Sequence, residues 1–378
     1  MIKDFKSFLN ENEKENSLDE HQRYILMKFV KGTWNVNNEG LIDIEGSFDS
    51  GYREGTGQPE FSKLYYYLEE NNLLDKPFAG LKFGKVTGNF NIQGCNLTTL
   101  EGIVKSVKSL DCSINQLTSL EGAPQIEYSL DCYKNKLTTL KGAPRILSYF
   151  ACSNNELESL EYSPEIVTRT YNCGRNKLKT LKGGPKSVGN FYCEDNNLES
   201  LEGGPSIIDE RNIPNSGGDY KCQHNNLKTL KGAPEYCKYF DCSNNPNLDS
   251  LEGAPQDMNY WSTSKKFHDT NRTTFNCSDC NLSSLDGGPS SVFFLYCKNN
   301  NLLSIDIYAI EIGASGNILS ANTLVLINRT MKRLDKTWLE AVDLLYEEIP
   351  DDDWNKIPTE LSSKLKSRGK KVGKKFGI

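Results

Sequence analysis

Cysteine spacing is the feature that most restricts what this chain can become. Cys112, Cys132, Cys152, Cys173 and Cys193 follow one another at intervals of 20 or 21 residues, and Cys222/Cys242 and Cys277/Cys297 repeat the step of 20. All 12 cysteines lie between Cys95 and Cys297 in a chain of 378 residues. Thiols scattered through an ordinary core have no reason to keep such phase. A fixed period of this length marks one small unit, copied and stacked. The start of the chain lacks the apolar run of a secretory signal, and no run of about 18 apolar residues occurs. The expectation is therefore an intracellular chain without a membrane span or cleaved signal, its cysteines present as thiols.

Aligned on cysteine, residues 110–124 read LDCSINQLTSLEGAP, residues 130–144 LDCYKNKLTTLKGAP and residues 191–205 FYCEDNNLESLEGGP. The shared pattern is apolar-x-Cys-x-x-Asn-x-Leu-x-x-Leu-x-Gly-x-Pro. Leu97, Leu117, Leu137, Leu157, Leu178, Leu198, Leu227, Leu248, Leu282 and Leu302 hold one position in ten units. The pattern resembles the leucine-rich repeat. That resemblance implies a helix-poor solenoid arc with one parallel β-sheet on its concave face, an N-terminal cap and a small helical C-terminal segment. The expected organisation is an amphipathic start (1–20), a cap (21–86), the repeats (87–306, with insertions near 208–219 and 258–274), a helical C-terminal cap (307–363) and a basic tail (364–378).

The residues supply the physics of the unit. The apolar-x-Cys alternation has the period of two that a half-buried strand requires. Asn turns the chain out of the strand, with an amide able to bond the backbone of neighbouring turns. Gly and Pro break regular structure on the return path. No unit can bury its leucine pair alone, so stability comes from stacking.

Nine cysteines fall at the small inward strand position, Cys95 and Cys280 take the Asn position, and Cys237 lies outside both. Cys277-Ser-Asp-Cys280 is formally a C-x-x-C pair, compatible with redox chemistry or half a zinc site. Its thiols also sit at repeat positions, with no second pair and only His21, His224 and His268 in the chain. We read them as structural, with no metal and no cofactor. The residue after the second leucine alternates in sign: Glu121, Lys141, Glu161, Lys182, Glu202, Lys231, Glu252. So does the residue after the first, from Glu158 through Lys179, Glu199 and Lys228 to Asp249. Stacking places these side by side, which favours correct register over slipped or skipped turns.

In the cap, Trp34 and Gly40 to Gly46 read as a hairpin and Phe61 to Leu74 as a helix. Residues 318–363 read as helices, with Asp351 to Asp353 as a helix N-cap region. Two surfaces are candidates for binding. One is the strand face, with Tyr133, Tyr149, Tyr192, Tyr239, Phe294 and Tyr296 among Asp131 and Asp241. Tyrosine supplies contact area at low entropic cost, although aromatic rings also stabilise strands through cross-strand pairs. The other is the second insertion, with Tyr260, Trp261, Lys265, Lys266 and Phe267. The tail residues Lys364, Lys366, Arg368, Lys370, Lys371, Lys374 and Lys375 offer a basic contact for nucleic acid or an acidic surface.

Met1 to Glu11 is a short amphipathic stretch carrying Ile2, Phe5, Phe8 and Leu9. It is similar to the capsid-targeting peptides of internal head proteins in large tailed bacteriophages, which are cut after a Leu-x-Glu triplet. Leu9-Asn-Glu11 matches that triplet, and Leu18-Asp-Glu20 is a second match. The repeats also look like the leucine-rich repeats of such phages. The resemblance implies a non-enzymatic scaffold that binds a protein partner, located in host cytoplasm or the virion interior. A helix that docks on the cap is the other reading of the same stretch. Some bacterial leucine-rich repeat effectors add a cysteine-dependent ubiquitin ligase domain, but the segment after Ile305 contains neither Cys nor His. No P-loop, dinucleotide-binding turn or Ser-His-Asp arrangement appears, so no catalytic residue is expected.

Overall fold

The computed structural model describes residues 17–52, 61–207, 218–256, 258 and 273–356, except 304, 306, 318, 335, 337, 346, 347 and 355. The chain divides into two compact units, Met1–Leu178 with Lys182–Val188, and Lys179–Leu181 with Gly189–Ile378.

In the first unit, helix α1 (Glu20–Phe29) opens on a reciprocal cap. Asp19 Oδ1 accepts from Gln22 N at 2.8 Å, and Gln22 Oε1 accepts from Asp19 N at 3.2 Å, satisfying two otherwise orphaned donors. β1 (Val30–Val36) and β2 (Ile42–Asp49) form an antiparallel hairpin. Helix α2 (Lys63–Glu70) starts at Ser62, whose hydroxyl accepts from Tyr65 N. β3 (Phe83–Asn91), β4 (Val104–Asp111), β5 (Gln125–Asp131), β6 (Ile146–Ala151) and β7 (Ile166–Asn172) then add in parallel. Phe48 meets Phe78, Phe83 and Phe90 with ring centroids 5.0–5.7 Å apart. This cluster covers apolar surface that the first turn leaves bare.

The division between the units falls inside β8 (Ser187–Tyr192). After β9 (Ser206–Ile207), the second unit builds β10 (Asp219–Lys221), β11 (Tyr239–Asp241), β12 (Thr274–Asn276), β13 (Ser291–Tyr296) and β14 (Tyr308–Gly313), again parallel. Helices α3 (Ala321–Leu334), α4 (Trp338–Leu344) and α5 (Asp351–Trp354) follow. Two expectations change here. The helical segment expected from residue 307 begins at Ala321, because residues 308–313 add one more strand. Buried Ala314 fills the thiol's place, and Asn317 donates to Cys297 O at 2.9 Å as the repeat asparagines do. Asp351 to Asp353 lie within α5 rather than ahead of it, and Asp353 reaches back to α3, accepting from Ser320 N at 3.0 Å and Thr323 Oγ1 at 2.5 Å.

Both units share one core logic, that of a leucine-rich repeat solenoid. The pairs Leu117/Leu120, Leu137/Leu140 and Leu157/Leu160 in the first, and Leu198/Leu201, Leu227/Leu230 and Leu248/Leu251 in the second, are fully buried. Each such leucine contributes roughly 1.5–3 kcal/mol of hydrophobic transfer. Inward aromatic rings stack along the second unit: Tyr220 lies 5.6 Å from Phe240, and Phe240 lies 5.6 Å from Phe275.

Asparagine ties turn to turn. Asn135 Oδ1 accepts from Leu117 N at 3.0 Å, while its Nδ2 donates to Cys112 O at 3.0 Å and Cys132 O at 3.1 Å. Asn155 and Asn245 repeat the pattern. The thiols do so more weakly: Cys132 Sγ donates to Ala151 O at 3.1 Å and Cys222 Sγ to Asp241 O at 3.3 Å. Cys280, at an Asn position, donates to Cys242 O at 3.4 Å. That is the preceding-turn carbonyl an asparagine uses, so its place in the C-x-x-C pair follows from the repeat. All 12 cysteines are free.

The alternating charges pair across turns within each unit. Lys141 meets Glu121 at 2.7 Å, Lys228 meets Glu199 at 2.8 Å and Lys231 meets Glu202 at 2.9 Å, all exposed.

Candidate binding face

Strand alternation decides which side chains leave the core. In the first unit, Ser109, Ser129, Tyr149 and Thr170 are in register, and beside them Asp111, Asp131, Ala151 and Asn172 form a second row. The second row sits where the chain leaves the sheet, and its short polar side chains hold the exit turn. Asp111 Oδ1 accepts from Ser113 N at 3.1 Å, Asp131 Oδ1 from Tyr133 N at 3.0 Å and Asn172 Oδ1 from Gly174 N at 3.0 Å. This is the Asx-turn habit of Asp and Asn. Asp131 and Tyr133 are thereby joined, and Tyr149 stands close to both aspartates. Burial, reinforced by Asp131 and Asp111, pushes the Tyr149 phenol up to about 12. It is a hydrogen-bond donor throughout the physiological range.

The second unit is richer in aromatic rings. Tyr192, Lys221, Asp241, Asn276 and Tyr296 form one row, and Asp219, Tyr239, Thr274 and Phe294 the other. Lys221 Nζ lies 4.6 Å from the centroid of the Tyr192 ring and 5.7 Å from that of Tyr239, a cation–π arrangement with both. Tyr192 Oη donates to Asp219 Oδ2 at 3.4 Å. Tyr239 Oη donates to Asp241 Oδ2 at 3.0 Å, and burial followed by Asp241 pushes the Tyr239 phenol up. Asn276 Nδ2 also donates to Asp241 Oδ2, at 3.1 Å, while Asp241 Oδ1 accepts from Ser243 N and Oγ. Asp241 is thus buried with both oxygens engaged, and its work is to fix Tyr239 and the turn. Phe294 and Tyr296 stack in parallel planes 6.4 Å apart, with Tyr296 38% exposed.

The strand-face residues identified from sequence therefore gather in two groups, Asp131, Tyr133 and Tyr149 in the first unit and Tyr192, Tyr239, Asp241, Phe294 and Tyr296 in the second. Lys221 and Asp219 were missed. The available signal was a change of type: Lys221 stands where Asp111, Asp131 and Asp241 stand in other turns. Tyr260, Trp261, Lys265, Lys266 and Phe267, the processing residues Leu9 and Glu11, and the basic tail residues 364–378 lie outside the described residues, as does most of the first insertion. Among the described residues no helix is long and apolar enough to cross a membrane, and no group of three or more His, Cys, Asp or Glu is arranged to hold a metal ion.

The thiols are poor nucleophiles where they stand. Burial pushes Cys95, Cys152 and Cys297 up to about 12 and Cys280 to about 11, and raises Cys112, Cys132, Cys193, Cys222, Cys242 and Cys277 well above the ordinary thiol value. A reactive cysteine needs the opposite environment.

No protein-family model matches the chain, and no curated protein is similar in sequence. Among solved structures, the chain is similar to the leucine-rich effector YopM of Yersinia pestis, at 23% identity and a TM-score of 0.45, over 61% of this chain and 67% of that one. It is also similar to YopM of Yersinia enterocolitica, at 20% identity and a TM-score of 0.29, over 61% of this chain and 60% of that one. A functional domain of InlJ from Listeria monocytogenes that includes a cysteine ladder matches at 21% identity and a TM-score of 0.25, over 56% of this chain and 60% of that one.

Proposed function

We propose that this protein is a non-enzymatic scaffold that binds a protein partner through its outward strand face. The observation that carries the reading is the second-unit assembly of Tyr192, Lys221 and Tyr239, braced by Asp219 and Asp241 and continued by Phe294 and Tyr296. Rings held by hydrogen bonds and cation–π contacts give a partner contact area with little ordering left to do. The raised thiols support a non-catalytic role. The likeness of Met1 to Glu11 to capsid-targeting peptides supports a phage protein acting on a host or phage partner, in the infected cell or within the virion.

Cross-linking and affinity capture from infected cells test the face. Replacing Tyr239 and Tyr296 by Ala should abolish capture of the partner while leaving the melting temperature within a few degrees. Unchanged capture removes the strand face from the proposal. Detection of a chain beginning at Asn12 in purified virions supports packaging; full-length protein confined to the cytoplasm removes that part.

A further inference from the structure

On the second-unit face the carboxylates are engaged and one ammonium is not. Asp241 Oδ1 accepts from Ser243 N at 3.0 Å and Ser243 Oγ at 2.6 Å, and its Oδ2 accepts from Tyr239 Oη at 3.0 Å and Asn276 Nδ2 at 3.1 Å. Those donors fill the lone-pair positions that a carboxylate has. Asp219 Oδ2 accepts from Tyr192 Oη at 3.4 Å. Lys221 is the register neighbour of Asp241. Its Nζ nevertheless makes no hydrogen bond or ion pair among the described residues. The rings of Tyr192 and Tyr239, with centroids 4.6 and 5.7 Å away, hold it instead. Ring faces attract the charge of an ammonium through their quadrupole. Lys221 is thereby held in place with its N–H donors still to give.

A second anchor stands in the same row. Lys221, Asp241, Asn276 and Tyr296 follow one another in register from β10 to β13. Three strand spacings separate Lys221 from Tyr296, or roughly 14 Å. Tyr296 is 38% exposed and stacks on Phe294. The two residues between the anchors, Asp241 and Asn276, are bonded to each other and to the backbone N–H groups of Ser243 and Ser278. The row therefore offers a cation at one end and an apolar ring pair at the other.

We propose that the partner polypeptide lays an extended segment along this row, with a carboxylate on Lys221 and an aromatic or large aliphatic side chain on Tyr296 and Phe294. In an extended chain each residue advances about 3.4 Å, and alternate side chains share a face. A step of four residues covers about 14 Å and returns to the same face, which matches the distance between the anchors. The segment recognised is thus an Asp or Glu and a large apolar residue four positions apart. The ammonium selects the carboxylate through a charge-assisted hydrogen bond. A nucleic acid suits this row poorly, because Asp219 and Asp241 beside the single cation repel a chain of phosphates. This selectivity rests on the strand face being the surface that binds.

Selection of short peptides from a random display library on the immobilised full-length chain tests it. Enriched peptides should carry the acidic and the apolar residue four positions apart, in either order. Synthetic copies should bind Lys221→Met about tenfold or more weakly than the parent chain. Lys221→Arg should retain binding, because a guanidinium keeps the charge and stacks on the rings. Replacing the peptide's acidic residue by Ala should weaken binding to the parent and change little in Lys221→Met. Near-ultraviolet circular dichroism matching the parent shows that each variant is folded. Failure to enrich any peptide, or peptides that parent and Lys221→Met bind equally, overturns the proposal. If Tyr239→Ala/Tyr296→Ala still abolishes binding of those peptides, the strand face stands and only its acidic preference falls. Peptides that the double variant binds as the parent does remove the strand face, and this proposal with it. Mixed-sequence single-stranded DNA that binds the parent but not Lys221→Met overturns it in favour of a nucleic acid.

Discussion

At the scale of single residues, the repeat makes some positions exacting and shows where this chain departs from them. The residue before the ladder asparagine is left-handed in turn after turn, and Asn154, Asn244 and Asn299 suit it. Ile114 holds the same geometry at φ 54°, where a β-branched side chain is a genuine outlier. Ile114→Asn should raise stability by about 1 kcal/mol, read by denaturant unfolding, and Asn154→Ile should lower it by a similar amount. Tyr162 is a second departure. At φ 67° it takes the place of glycines such as Gly142 and Gly232, whose Cβ would lie 2.1 and 2.3 Å from the carbonyl oxygens of Leu120 and Leu201. The ladder asparagines themselves are exacting in a different sense. Asn155→Ala would strand Leu137 N and the carbonyls of Cys132 and Cys152 in the core. The loss should be about 2–4 kcal/mol in the same measurement.

At the scale of elements, charge pairing between turns and capping between helices carry the argument. In Lys141→Glu, three acidic residues would follow one another at 121, 141 and 161, and in Lys231→Glu at 202, 231 and 252. Each variant should melt below the parent in low salt, and the difference should shrink in high salt as screening removes the repulsion. A salt-independent difference would mean that the pairs act through packing instead. In the C-terminal helices, burial tends to raise the Asp353 carboxyl, but hydrogen bonds from Ser320 and Thr323 and the Lys356 ammonium outweigh it and hold the group below its ordinary value of 3.8. The stabilisation this gives is complete above that value and is lost as pH falls through the lower, folded value. Asp353→Ala should cost about 1–2 kcal/mol at neutral pH, as loss of a helix cap does. Hydrogen exchange in α3 locates the effect, and the difference from the parent should fade in acid.

At the scale of the whole molecule, the buried thiols act together. Those with raised values, such as Cys152 and Cys297 near 12, are neutral in the folded chain at pH values where an unfolded thiol, near 9, has already ionised. A raised folded value contributes stability that is complete below the unfolded value and is lost as pH rises toward the folded one. Between pH 9 and 12, each thiol that ionises only on unfolding removes about 1.4 kcal/mol per pH unit. With so many in phase, denaturant unfolding should show a steep fall in stability above pH 9. Thiol reagents at pH 8 should modify the native chain slowly, beginning at the partly exposed Cys280, and the unfolded chain at all 12 cysteines. Rapid modification of the native chain would contradict the thiols' burial.

How much of this was legible follows from what each feature depends on. Stacking identical turns requires a small inward group, an amide that bridges turns and a buried leucine pair at fixed spacing. A requirement repeated in every turn leaves a periodic mark in the sequence, and the parallel solenoid with its thiols and asparagines could be read from it. Features without period could not be read so. Ala314 and Asn317 extend the array by one turn that has lost its cysteine, Lys221 joins Tyr192 to Tyr239 across three strands, and Asp353 caps a helix 30 residues upstream. Each depends on which side chains become neighbours once strands of unequal spacing are brought into register. The sequence by itself determined the repeat, its phase and the chemistry of its core, because those are set within one turn and copied; only the tertiary structure decided which outward side chains meet, because that is set between turns.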